Sequence, residues 1–331
     1  LFRRTPDETF GSFPELREHC RKTREGSRDH WVPADGLVLT HDLTLCLADC
    51  PDYRLNDWSF SQLCRLAGVS KDTLNRLSTK TASKALEETL PQPTGGKPYQ
   101  VLSTGEVVRS VHGTAYTRLW NADLLDAIAE AAPNFTAPQA ANGGGTGLYC
   151  GEQDLFCFLI DPTGWAEVDG EAFAPGFFVW NSEVGRRSLG VQTFWFQAIC
   201  RNHIVWDAVE VVEFTRKHTA NVREGLDEIR RIVAQLAQRR DERRDGFVRV
   251  IERAMTERLG QDAEETLKAM LRHGIGKGVA EKALEIAEKQ GRFTIFALVD
   301  ALTRLSQECV NYAGDRTELD AKAAALLALA A

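Results

Sequence analysis

The sequence predicts an α+β protein: a small antiparallel sheet core with helices, followed by a C-terminal region of long helices. Three observations lead there. Between Tyr99 and Cys200 the apolar residues often alternate with a period of two, as in YQVLSTGEVVRSVHG and GWAEVDGEAFAPGFFVWN. After about Val209 the period turns helical, with Leu226, Ile229, Val233 and Leu236 on one face. Strands come mostly before the long helices instead of alternating with them, which favours α+β over α/β.

Taken in order, residues 1–58 read as an irregular, polar N-terminal region, although Phe10, Phe13, Leu16 and Cys20 share a helical spacing. VPADGLVLTHDLTLCLADC reads as extended pieces that turn at Ala34-Asp35-Gly36. Residues 59–90 form a helical segment. Leu63, Leu66 and Ala67 lie on a first helix, Gly68 breaks it, and Ser70 caps a second that carries Leu74 and Leu77. Ala82, Ala85, Leu86 and Leu90 mark a third, which PQPTGGKP ends. Residues 95–208 hold the α+β core: a hairpin turning at Thr104-Gly105, a short helix capped by Asn121, and then strands through LYCGEQDLFCFLID and FFVWN. Residues 209–331 form the helical C-terminal region. Without a break, residues 216–259 would make a rod of roughly 65 Å at 1.5 Å per residue.

Composition narrows the classes. Hydrophobic content of 43% and charged content of 26% are those of a soluble globular chain of 331 residues. No run of eighteen apolar residues suggests a membrane span, and the opening LFRRTPDETF has no leader pattern. The net charge of −7 argues against a surface coated for duplex DNA but leaves room for a local basic stripe. Eight scattered cysteines form no secreted disulfide framework and read as reduced thiols of a cytoplasmic protein. Cys46, Cys50 and His41 lack a second ligand pair, and no dinucleotide loop, nucleophile elbow or H-E-x-x-H motif is present. Neither a metal nor a cofactor is expected. Glu183 and His203 would make an acid–base pair only if folding joined them.

Four segments could bind a partner. FSQLCRLAGVSKDTLNRLS has the spacing of a helix-turn-helix that would offer Lys71, Thr73, Asn75 and Arg76 to a major groove; two packed helices with a glycine cap use the same spacing. LRHGIGKGVAEKAL is similar to the helix-hairpin-helix of nonspecific DNA binders, with Gly274, Gly276 and Lys277 facing a phosphate. Arg216–Arg258 carries twelve Lys/Arg against eight Asp/Glu, including Arg239, Arg240, Arg243 and Arg244. Its interleaved acids equally suit a solvated face. Finally, WNSEVGRRSLGVQTFWFQAICRNHIVW sets Arg186, Arg187 and Arg201 near Trp195 and two phenylalanines. Arginine beside aromatic rings is what stacking on single-stranded bases would use.

Several of these stretches together resemble the phage/plasmid-like domain-of-unknown-function family 932. The resemblance spans roughly residues 60–329 and rests on four features: QLCRLAGVSKDTLNRL, GEVVRSVHGTAYTRLWNADLLDAI, the run Asn181-Ser182-Glu183-Val184-Gly185 followed by Cys200-Arg201-Asn202, and FALVDALTRLSQE. His203, in place of a glycine, and His112-Gly113-Thr114, in place of a Ser-Asp-Arg type sequence, depart from the pattern. The resemblance implies a protein of mobile genetic elements, with a distant similarity to single-strand annealing recombinases.

The expectation is therefore a non-enzymatic nucleic-acid-binding protein of a mobile element. It would hold single-stranded DNA for annealing, recombination or replication, as a homo-oligomer without membrane attachment. An interaction protein that uses its long helices, or a duplex reader that uses residues 60–78, are the alternatives. An apolar stripe left exposed on the 216–259 helix would favour the interaction protein.

Overall fold

A computed structural model describes residues 1–33, 36–47, 52–90, 96–138, 146–198, 203–206, 213–289, 293–307 and 312–330. The chain opens with β1 (Glu8–Thr9) and α1 (Phe13–Glu25), where the Ser12 side chain caps the helix by accepting from the Glu15 N–H. Next come β2 (Ser27–Val32), β3 (Val38–Leu39), β4 (Thr44–Cys46) and β5 (Tyr53–Leu55). Helices α2 (Asp57–Leu66), α3 (Lys71–Leu74) and α4 (Thr79–Thr89) lead to the hairpin β6 (Tyr99–Thr104) and β7 (Val107–His112). Gly105 turns that hairpin at φ +53°, a conformation glycine adopts without strain.

These strands form one sheet in the order β2-β6-β7-β5-β4-β3, antiparallel apart from the β5–β7 pair. Residues 1–58, expected to be irregular apart from the extended pieces of residues 32–50, thus supply four of its six described strands. Their extended pieces are only two to six residues long, so no periodicity announces them. Pairing with β6 and β7, far along the chain, completes them. Apolar residues of α2, α3 and α4, among them Phe60, Leu63, Leu74 and Leu86, close one face of this sheet.

The second sheet follows α5 (Asn121–Ala131). Its strands are β8 (Leu148–Cys150), β9 (Leu155–Ile160), β10 (Ala166–Val168), β11 (Glu171–Asn181), β12 (Leu189–Gln197), β13 (His203–Trp206) and β14 (Glu213–Arg216). The order is β1-β8-β9-β11-β12-β13, with β10 on β11 and β14 on β12. Leu155, Cys157, Leu159, Phe177, Val179, Leu189 and Val191 face α1, α5 and the later helix α6 (Glu224–Gln238). Phe156, Phe158, Phe178, Phe194 and Phe196 point the other way. All six residues of LFCFLI in β9 are buried, which explains its unbroken apolar run.

The expected rod over residues 216–259 does not form. Glu213–Arg216 is taken into the sheet as β14, and α6 is separated from α7 (Arg240–Thr256) at Arg239, whose φ/ψ of −96°/19° leaves the helical region. α7 then packs Phe247, Val250, Ile251 and Ala254 into a cluster with α8 (Ala263–Arg272), α9 (Lys277–Lys289), α10 (Ile295–Gln307) and α11 (Ala313–Leu327). Each large side chain buried there contributes about 1.5–3 kcal/mol. That gain comes from folding α7 back against β10 and the C-terminal helices. Among the described residues, the apolar faces of α6 and α7 are covered by the protein's own core, and no exposed stripe remains on them. Among the described residues, no helix is long and apolar enough to cross a membrane.

Candidate functional site

The run Asn181–Gly185 leaves the end of β11 and enters the junction between the two sheets. Asn181, Ser182, Glu183 and Val184 are all buried. Helix α5 begins after Trp120, which offers no side-chain cap. The expected cap, Asn121, is instead the first helical residue, and its N–H donates to Glu183 Oε1 at 2.8 Å. Glu183 is thus a cap supplied from 62 residues away. Its other oxygen accepts from Arg109 Nη1 at 2.8 Å, and both side chains are largely buried. Asn181 Nδ2 donates to Leu119 O (2.9 Å) and Asn121 Oδ1 (2.8 Å). Val184 O accepts from Trp58 Nε1 at 2.7 Å, and Ser182 O accepts from the Tyr116 hydroxyl at 3.0 Å.

Arg118, also buried, donates to the Glu183 carbonyl and to Asp29 Oδ1 (2.7 Å). Gly185 sits at φ +73°, and a Cβ there would come within 2.6 Å of His112 Cε1. His112 stacks on Tyr116 at 3.8 Å, and the far side of Tyr116 stacks on His218 at 5.4 Å. Burial, reinforced by the Arg118 charge, pushes His112 down to about 3. Burial likewise pushes His218 down to about 4. The polar residues at this end of the segment therefore form a structural junction, in which Glu183 and the Asn181 amide nitrogen are bonded while Asn181 Oδ1 and the Nε2 atoms of His112 and His218 are buried without a partner.

One wall of the junction is open. A pocket of about 220 Å³ is lined by Arg109, Asn121, Glu183, Glu152, His19, Cys20 and Cys150, among others. Burial and the nearby Asp57 charge push Glu152 up to about 7.

The larger opening lies on the opposite side of the second sheet. It measures about 450 Å³ and runs between the sheet and α11. Phe156, Phe178 and Trp180 line its floor, with Arg187, Gln192, Thr215, Thr317 and Glu318 around them. Trp180 and Gly190 are paired across β11 and β12, and a Cβ at Gly190 would overlap the Trp180 indole. The missing side chain is what lets the indole lie across the neighbouring strand. Arg187 stands 5.4 Å over the Phe156 ring and is anchored by Asp154, Nε to Oδ2 at 2.8 Å. Asp154 also holds Arg4 at 2.9 Å. Asp7 of the same cluster accepts from the Ala313 N–H at 3.0 Å, and so caps α11, which has no side-chain cap of its own. The two arginines and two aspartates thus dock α11 beside the aromatic floor.

The structure separates the residues that the sequence grouped. Arg187 does meet an aromatic ring, but that of Phe156 in β9. Trp195, expected to stack on bases, is fully buried and lies flat against Phe247 of α7, ring centroids 4.2 Å apart. It is a core residue, because the twisting sheet carries the far end of β12 beneath α7. Arg186 is exposed and reaches towards the Trp58 ring at 5.8 Å. Arg201, with Cys200 and Asn202, lies outside the described residues. So does the Arg240 side chain, although its backbone opens α7.

Arg239 pairs with Glu242 at 3.1 Å, and Arg244 with Asp241 at 3.1 Å and Asp245 at 3.3 Å. Arg243 is not at the surface: it is 9% exposed, and burial pushes its guanidinium down to about 10. The expected basic face is therefore largely neutralised by its own acids. Lys277 is exposed at the start of α9, 3.8 Å from Glu281, after an open turn with Gly274 at φ +76°. That helix pair keeps the hairpin shape expected for it.

The segment proposed to read duplex DNA is built differently. α3 is a single turn of four residues. Lys71 is bound to Asp57 at 2.6 Å, and the Asn75 side chain bonds the Phe2 backbone at 2.9 and 3.0 Å. Arg76 Nε donates to Asp72 O at 3.1 Å. A helix this short cannot lie along a major groove, and three of the four candidate readers are engaged within the fold. Among the described residues, no group of His, Cys, Asp and Glu could hold a metal ion.

Comparison with known proteins found no matching family model, no curated relative and no similar solved structure.

Proposed function

We propose that this is a non-enzymatic single-stranded DNA-binding protein of a mobile genetic element, and that it takes bases into the groove between the second sheet and α11. The observation that carries this reading is the half-buried Trp180 on the groove floor, backed by the buried rings of Phe156 and Phe178, with Arg187 held over Phe156 at one end. Stacking on such a floor is tolerant of sequence, because every base has a π-face. Gln192, Thr215 and Thr317 offer hydrogen bonds to base edges or sugar. The open glycine turn with Lys277 supplies a second contact, to phosphate. One short groove gives little cooperativity, so the protein acts as a homo-oligomer in the cytoplasm, annealing, recombining or replicating strands. The covered apolar faces of α6 and α7 weigh against the interaction-protein alternative.

The test is fluorescence anisotropy of labelled single-stranded and duplex DNA over several salt concentrations, with wild type and Trp180→Ala. Single-strand binding should weaken as salt rises, and Trp180→Ala should lower affinity about tenfold, since one stacked base is worth about 1–3 kcal/mol. Arg187→Ala is a poor probe, because it also removes one of the two arginines paired with the buried Asp154 carboxylate; Arg186→Ala leaves that cluster intact. Failure of wild type to bind either form at low salt would refute the nucleic-acid reading and turn attention to a protein partner. Binding unchanged in Trp180→Ala would refute the groove.

A further inference from the structure

A second site stands apart from the groove. Cys150, the last residue of β8, lies directly opposite Glu8 of β1. Directly opposed residues of an antiparallel pair project from the same face. α1 packs against β8, and its His19 reaches both residues. His19 Nδ1 is 3.9 Å from Glu8 Oε2, and the neighbouring Cys150 thiol, more than Glu8, holds the imidazole above its ordinary value. Cys20, the next residue of α1, shares one buried cluster with Cys150, and Asn121 Nδ2 approaches the Cys150 sulfur at 4.0 Å. The two thiols are 1% and 7% exposed, yet both line the pocket of about 220 Å³, together with His19 and Glu8. That space admits a small solute to sulfurs that are otherwise in the core.

We infer that Cys150 and Cys20 form a redox-active pair, with His19 as proton acceptor, that a small hydroperoxide converts to a disulfide. The contact with Cys20, and then burial, keep Cys150 in its thiol form, so it needs a base at the moment of attack. The Cys150 proton passes to His19, which Glu8 steadies. The sulfur attacks the nearer peroxide oxygen, and the O–O bond breaks. The departing hydroxide takes the proton back from His19 as water, leaving a sulfenic acid on Cys150. The Cys20 thiol then attacks that sulfur and releases a second water. Two thiols and one hydrogen peroxide thus become one disulfide and two waters. The disulfide would join α1 to β8.

The experiment treats the full chain with hydrogen peroxide, blocks residual thiols with iodoacetamide, and maps peptides by mass spectrometry without reduction. A peptide linked through Cys20 and Cys150, lost on adding dithiothreitol, is the expected result. His19→Gln should slow its formation at least about tenfold. In Cys20→Ser, dimedone should trap the sulfenic acid on Cys150. If both thiols stay fully alkylatable at a peroxide dose that oxidises the more accessible Cys46, the pair is refuted. An unchanged rate in His19→Gln would refute the role of His19 as base. The wild-type map decides the first point whether or not the variants fold.

Discussion

Lowering the pH from 7 to 5 should destabilise this protein through two stacked histidines. His112 and His218 flank Tyr116 and are held neutral, pushed down to about 3 and about 4, in each case first by burial. The Nε2 atoms of both rings are buried without a hydrogen-bond partner, and the backbone of Val184 near His112 and of Thr117 near His218 only partly offsets the burial. In the unfolded chain each ring takes a proton near pH 6.5. The unfolded state therefore binds more protons below that pH. The stabilisation is complete above 6.5 and is lost as pH falls towards the folded values. At pH 5 each histidine lies about 1.5 units below the unfolded value, at 1.36 kcal/mol per unit, and so costs about 2 kcal/mol. The two together cost about 4 kcal/mol, a large share of a typical 5–15 kcal/mol.

Urea unfolding at pH 7 and pH 5 measures this. Other groups titrate in the same range: His19 and Glu152 are raised and act in the opposite sense. The decisive quantity is therefore the difference between wild type and His112→Gln. The variant should lose about 2 kcal/mol less than wild type over this range, whatever its stability at pH 7. Equal pH dependence in the two proteins would refute the reasoning.

Two further outcomes follow from the core. Glu183→Gln removes the charge opposite the largely buried Arg109 and should cost about 3 kcal/mol in urea unfolding; a change under about 1 kcal/mol would mean that solvent or another carboxylate compensates. Trp195→Ala should cost about 3–5 kcal/mol, because the indole packs on Phe247 and is fully buried. Molecules of that variant that remain folded, measured by anisotropy at low temperature, should bind single-stranded DNA as wild type does; weaker binding by them would return Trp195 to the interface.

Some of this architecture is legible in the residues. The runs LFCFLI and FFVW read as strands, and β9 and β11 lie between two buried clusters. The helical spacing of Leu226, Ile229, Val233 and Leu236 does mark the inner face of α6. In residues 27–55, β3 and β4 fall in the stretch read as extended, whereas β2 and β5 were not legible, because they are short and their partners β6 and β7 begin at residue 99. The break at Arg239 was equally hidden: no proline or glycine stands there, and the helix turns because α6 and α7 pack on different clusters. Trp195 misled for a related reason, since proximity to arginines along the chain says nothing about which helix will cover a ring.

The amino-acid sequence by itself determined the α+β class, the local apolar faces and the presence of arginine beside aromatic residues, because periodicity and composition act over a few neighbouring positions. Only the tertiary structure decided which arginine meets which ring, which carboxylate caps which helix, and where an opening remains. Glu183 reaches Asn121 from 62 positions away, and Asp7 reaches Ala313 from 306. Such contacts depend on where whole elements come to rest, and that is set by the burial of their apolar faces, not by the spacing of the polar residues themselves.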